Sequence, residues 1–236
     1  MPVHPDTATR MAAARRRLGL EPGRFIVLHA AGLAPRAGAD TAIHGLAMLR
    51  TRWGADACLI VVAGGGQGEF RGELQGDHPQ LARLRLFAAD LGVKAQVRFA
   101  APAGRDGPGE RLNDYYGAAN VVASTPWYAP CGFTAAMAMA HARPVVGTRI
   151  RGMEGLVVDG VTGFLVPARD AEALAERLDR LYRRPAGAQA MGLAGRRHLR
   201  ASRSHIGAGH ERLPAGRARL EEAQQPELCG GPGEAQ

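Results

Sequence analysis

The chain has 236 residues, which at about 150 residues per domain is room for one domain or a cramped second. With 46% hydrophobic and 22% charged residues it is built to bury a core, and no apolar run approaches the about 18 residues that a membrane-spanning helix needs. The formal net charge of +8 raises nucleic acid or an acidic surface as a partner. Only Lys94 among the 30 basic residues is a lysine, however, and the heavy use of Arg, Ala and Gly has the look of GC-rich coding, so a nucleic-acid partner is disfavoured.

The N-terminal stretch MPVHPDTATRMAAARRRLGL has charge but no apolar centre, unlike a secretory leader, and the expected compartment is the cytoplasm. Residues 1–19 read as a linker or N-terminal helix. From Phe25 onward short apolar runs alternate with amphipathic stretches, the pattern of βα units and a parallel sheet. FIVLHA (25–30) predicts a first strand, and Asp40 an N-cap for a helix reaching Trp53. CLIVVA (58–63) predicts a second strand, ended by Gly64, Gly65 and Gly66. A helix over 79–91, a strand at 96–100, a helix near 110–119 and a strand at 121–124 follow. A helix at 133–141, strands at 144–147 and 164–167, and a helix opened by Asp170 complete the pattern. The fold class expected is α/β, a single Rossmann-like doubly wound parallel sheet over 20–200, with a last helix at 186–200 and a disordered tail over 201–236.

Ligands of open parallel sheets bind beyond the carboxyl ends of the strands. Four segments lie there: AAGLAPRAGAD (30–40), AGGGQGEF (63–70), STPWYAPCGFTAAMAMAHARPVVG (124–147) and RGMEGLVVDGVTGFLVP (151–167). The glycine cluster does not fit GxGxxG, because Glu69 stands three after Gly66, and no GxxxxGK[ST], GxSxG or HExxH occurs. Cys58, Cys131 and Cys229 have neither disulfide nor zinc-ligand spacing, and no metal site is expected.

In order, the four segments resemble the C-terminal, nucleotide-sugar-binding half of a GT-B glycosyltransferase, family 4 of the "glycosyl transferases group 1" type, over about Arg15 to Arg183. The stretch PWYAPCGFTAAMAMAHARPVVGT is similar to the family pattern PWYEPFGxxxxEAMAxGxPVVGT, and VVDGVTGFLVPARDAEALAERL reinforces it. The resemblance implies retaining, metal-independent glycosyl transfer from a UDP-, GDP- or ADP-sugar, with no cofactor. It places the donor site at Gly32, Arg36, Ala37, Gly64, Gly65, Ala129, Cys131, Gly132, Phe133, Thr134 and Met137.

The family's GR…RKG loop offers an arginine and a lysine to the donor diphosphate, since a leaving nucleoside diphosphate develops charge that must be neutralised. Here those positions hold Gly32 and Ala37, with Arg36 between them; the family's paired glutamates fall on Ala129 and Met137. Each hydrogen bond to a charged group contributes about 1.5–3 kcal/mol, so four such losses are expected to leave transfer weak or absent. Backbone amides at Gly132–Thr134 and the Arg36 guanidinium remain as phosphate donors. The acceptor domain that GT-B enzymes close over the donor is expected to be missing, with a separate acceptor domain as the possible partner. The competing expectation is a non-catalytic remnant or partner module, a pseudoenzyme that keeps the fold without donor chemistry. Asp159, Gly160 and Gly163 are assigned to a structural turn, His29 to a satisfied, partly buried histidine, Glu154 to a solvated carboxylate, and Arg15, Arg16, Arg17, Arg196 and Arg197 to solvated helix faces. Trp127 and Tyr128 fit packing as well as a sugar or base contact.

Overall fold

The computed structural model describes residues 5–63, 78–100, 108–128 and 132–209. Six strands form one sheet: β1 (Phe25–His29), β2 (Ala57–Val62), β3 (Val97–Ala100), β4 (Val121–Ser124), β5 (Val145–Thr148) and β6 (Gly163–Val166). All pairings are parallel, in the spatial order β3-β2-β1-β4-β5-β6. The described residues also form eight α-helices: α1 (Pro5–Arg17), α2 (Ala39–Trp53), α3 (Pro79–Asp90), α4 (Pro108–Ala118), α5 (Phe133–Ala140), α6 (Arg151–Glu154), α7 (Ala171–Arg183) and α8 (Pro185–Gly209).

Five strands are buried nearly throughout because both faces of the sheet are covered there, whereas the edge strand β3 exposes Arg98. Alternate residues then divide between two cores. Phe25, Val27, Leu59, Val61, Val121 and Ala123 face one cluster, with Ile43, Leu46 and Leu49 of α2 and Leu174 and Leu178 of α7. Ile26, Leu28, Ile60, Val62 and Val122 face the other, with Tyr115 and Tyr116 of α4 and Ala135, Ala138 and Met139 of α5. Asp170 caps α7 as expected, its Oδ1 accepting from the Ala173 amide at 2.8 Å.

Three sequence expectations change. The N-cap of α2 is Gly38, not Asp40, which lies in the first helical turn and accepts from the Thr41 amide at 2.8 Å. Arg15 is not solvated: only 4% exposed, it donates from Nε to the Ala118 carbonyl at 3.1 Å and from Nη2 to Asn120 Oδ1 at 2.6 Å. Its guanidinium helps to cap the carboxyl end of α4, where it supplies a donor to the Ala118 carbonyl. The last helix runs to Gly209, past the 186–200 span read from the sequence.

Candidate functional site

The order of strands reverses between β1 and β4, neighbours that lead to opposite halves of the sheet. A crevice opens at such a switch point beyond the strand carboxyl ends. One wall is the β1–α2 loop, which holds Gly32, Arg36 and Ala37; the other is the β4–α5 segment, which leads to Gly132, Phe133, Thr134 and Met137. Gly64, Gly65, Ala129 and Cys131 lie outside the described residues.

The two walls are fastened to each other. Thr125 Oγ1 donates to the Gly38 carbonyl at 2.8 Å, and the Trp127 amide donates to the Arg36 carbonyl at 3.0 Å. Gly38 is required there, because at φ +82° a Cβ would stand 1.8 Å from the Thr125 carbonyl oxygen. The Thr148 hydroxyl donates to the Pro126 carbonyl at 2.7 Å and ties the end of β5 to the same segment.

Charge at this edge is carried by arginines stacked on aromatic rings. Arg36 lies over Tyr128 at 5.2 Å and Arg169, from the β6–α7 turn, over Trp127 at 4.5 Å. Such stacking orients a guanidinium while leaving its N–H edge free to donate. Arg169 was missed in the sequence because the contact joins residues far apart in the chain. Trp127 is half-buried with no partner for its Nε1 among the described residues, whereas Tyr128 is exposed.

The positions expected to hold charged donor contacts hold none. Gly32 is buried with φ +87°. Ala37 is buried at the end of a short 3-10 turn, and Met137 packs against the α4–α5 core. Gly132, left-handed at φ +67°, begins α5 without a side-chain cap, so the first-turn amides are not used by one. Phe133 is exposed, and Thr134 is hydrogen-bonded to Tyr116, whose phenol burial pushes up to about 12, with Thr134 opposing. Asp159 braces its turn by accepting from the Leu165 amide at 3.0 Å and pairing with Arg149 at 3.0 Å, and Glu154 is exposed on α6.

His29 corrects its expectation: it is wholly buried, with Nδ1 at 3.1 Å from the Ala123 carbonyl and Nε2 without a hydrogen-bond partner among the described residues. A carbonyl only accepts, so Nδ1 carries the proton. Burial lowers the pKa to about 4, opposed by the backbones of Ala123 and Gly32 and by Asp40. Because the folded pKa lies below the unfolded value of about 6.5, the unfolded chain binds the extra proton between these values, and stability falls as pH drops from 6.5 to 4. The cost is about 3 kcal/mol at one pKa unit per 1.36 kcal/mol. His29→Gln is expected to flatten this part of the curve in urea unfolding measured at pH 4.5 and 6.5; an unchanged difference between the two pH values would refute the assignment.

A six-stranded, doubly wound parallel sheet with a crevice walled by the β1 and β4 loops defines an α/β protein of the switch-point ligand-binding class. Residues 11–198 match the family described as "Glycosyl transferases group 1", and the chain belongs to this family. It is 35% identical over 189 residues to D-inositol 3-phosphate glycosyltransferase of Streptomyces griseus, a match that covers 79% of this chain and 38% of the relative. The chain therefore spans well under half the length of that curated relative. Among solved structures it is similar to sucrose-phosphate synthase of Thermosynechococcus elongatus, with 28% identity, a TM-score of 0.69 and coverage of 85% of this chain and 47% of the other. It also shares the fold of Anabaena HepE in complex with UDP-glucose, with 22% identity, a TM-score of 0.68 and coverage of 87% and 53%.

Proposed function

We propose that residues 20–200 form the C-terminal, donor-binding domain of a retaining, metal-independent GT-B enzyme of family 4, which takes a nucleoside diphosphate sugar in the crevice between the β1–α2 and β4–α5 segments. The observation that carries this reading is the fastening of those two walls through Gly38–Thr125 and Arg36–Trp127, which holds Arg36 beside the segment that leads into α5. In this reading the donor diphosphate is held by the Arg36 guanidinium and by the amides that open α5 at Gly132, Phe133 and Thr134. Gly32 shapes the pocket, and the compartment is the cytoplasm. Without side-chain charge at Gly32, Ala37, Ala129 and Met137, transfer is weak and donor affinity is modest.

One observation favours a second reading, a non-catalytic module that keeps the fold alone: Met137 packs against the apolar core rather than leaving an open gap in a polar site. Calorimetric titration with UDP, GDP, ADP and UDP-glucose separates the two. The donor reading expects saturable binding with Kd on the order of 0.1–1 mM, equivalent to about 4–5.5 kcal/mol, weakened at least fivefold by Arg36→Ala. Absence of heat with every nucleotide at about 10 mM, a concentration that saturates a site of about −4 kcal/mol, supports the module instead.

A further inference from the structure

The strands begin at the edge of the sheet opposite the crevice, and there a cavity of about 240 Å³ is lined by α1, the first residue of β1, α7, the start of α8 and the residues that lead into β4 and β5. Its walls are apolar, formed by Met11, Phe25 and Leu181 among others, and its polar groups include Arg143 and Asn120. Nothing in the donor reading involves this end of the molecule.

The electrostatics of the cavity are unbalanced. Arg143 is only 4% exposed; its Nε donates to the Tyr116 carbonyl at 3.2 Å and its Nη2 to the Gly117 carbonyl at 2.6 Å. Arg15, equally buried, occupies the neighbouring Ala118 carbonyl. Two guanidinium charges thus converge on the carboxyl end of α4, which supplies about half a negative charge. Among the described residues no carboxylate pairs with either arginine. Burial, together with the Arg15 charge, lowers the Arg143 pKa to about 10, so it stays protonated at neutral pH.

A buried surplus of positive charge is costly unless an anion meets it. Arg143 Nη1 has no acceptor among the described residues. Asn120 Oδ1 already accepts from the Ile26 amide at 2.8 Å and from Arg15 at 2.6 Å, so what Asn120 offers a guest is its amide N–H. The donors therefore suit one acceptor head, and the rest of the cavity suits an apolar body. An apolar cavity of about 150 Å³ holds benzene, so the volume here accommodates one aromatic ring or a short alkyl chain with its head group. A phosphate dianion needs more donors than this cavity presents and has no body to fill the apolar part.

We propose that this cavity binds a small amphipathic monocarboxylate, with its head against Arg143 and Asn120 and its ring or chain against Met11, Phe25 and Leu181. The test is a titration of the full chain with benzoate and hexanoate, followed by amide NMR shifts and thermal unfolding, alongside benzamide as the neutral isostere and inorganic phosphate. Benzoate is expected to bind saturably and raise Tm, as a ligand specific for the folded state must, and to bind at least tenfold more tightly than benzamide or phosphate. Ala188→Leu puts bulk into the cavity wall without touching the arginine contacts and is expected to weaken benzoate at least tenfold. Arg143→Met is expected to do the same; because Arg143 also caps α4, Ala188→Leu keeps the test decisive if that variant fails to fold. The proposal is overturned by non-saturating shifts with both carboxylates, by equal binding of benzamide or phosphate, or by unchanged benzoate affinity in Ala188→Leu.

Discussion

Gly38→Ala is expected to destabilise the fold by about 4 kcal/mol or more and to abolish nucleotide binding at the crevice. The new Cβ would lie 1.8 Å from the Thr125 carbonyl oxygen, 2.6 Å from its carbon and 2.9 Å from Oγ1, and the first two belong to backbone that cannot rotate away. The crevice walls must therefore part, with loss of the Thr125 hydroxyl bond at 2.8 Å and the Trp127 amide bond at 3.0 Å. The αL backbone costs about 1–2 kcal/mol for alanine, each lost hydrogen bond about 0.5–1.5 kcal/mol and overpacking about 1–3 kcal/mol. For a chain of this size a loss of about 4 kcal/mol lowers Tm by about 8–16 °C. Gly54→Ala is the control, since Gly54 ends α2 at φ +67° with open space around its Cβ, and should lose only the backbone share of about 1–2 kcal/mol. Urea unfolding of both variants decides the matter: equal losses at Gly38 and Gly54 would show that the walls are not locked together.

That contact also marks the boundary of what the sequence discloses. The strands were legible because a doubly covered parallel sheet needs uninterrupted apolar runs, and FIVLH and CLIVV have no other explanation in a chain with βα spacing. Asp170 was legible because a capping carboxylate precedes a run with clear helical periodicity. Asp40 misled for the same reason: it is a good capping residue placed two positions too late, and close packing against Thr125 selected Gly38 for the cap instead. Arg15 looked solvated because its neighbours Arg16 and Arg17 are exposed, and only its contacts with Ala118 and Asn120, more than 100 positions away, reveal its burial. The arginine–aromatic pairs at Trp127 and Tyr128 were hidden similarly, since charge and ring arrive from different βα units. Sequence periodicity reports which face of an element is buried; it does not report which distant loop meets it.

Restoring the family's charged residues through Gly32→Arg, Ala37→Lys, Ala129→Glu and Met137→Glu is expected to tighten UDP-glucose binding on the order of a thousandfold, about 4 kcal/mol at 1.4 kcal/mol per tenfold. The unopposed gain is larger, about 6–12 kcal/mol from four charge-assisted contacts, but the fold resists part of it. Gly32 sits at φ +87°, where arginine must bear about 1–2 kcal/mol of backbone cost. Met137 packs against the α4–α5 core, so a glutamate there must be desolvated or must displace neighbours. Ala37 offers the cleanest single step: it is 9% exposed at the end of its 3-10 turn, and a lysine can lay its methylenes along the wall while the ammonium reaches the crevice. Ala37→Lys alone should therefore tighten UDP-glucose by about tenfold to a hundredfold, for about 1.5–3 kcal/mol. The gain should shrink as salt rises from 0.05 to 0.5 M on the order of the Debye length falling below 5 Å. Calorimetry on the single and quadruple variants, with circular dichroism to confirm that each is folded, tests the placement of these positions. If both fold and neither binds UDP-glucose more tightly than the parent, these side chains do not point into a donor site and the chain is a module without donor chemistry.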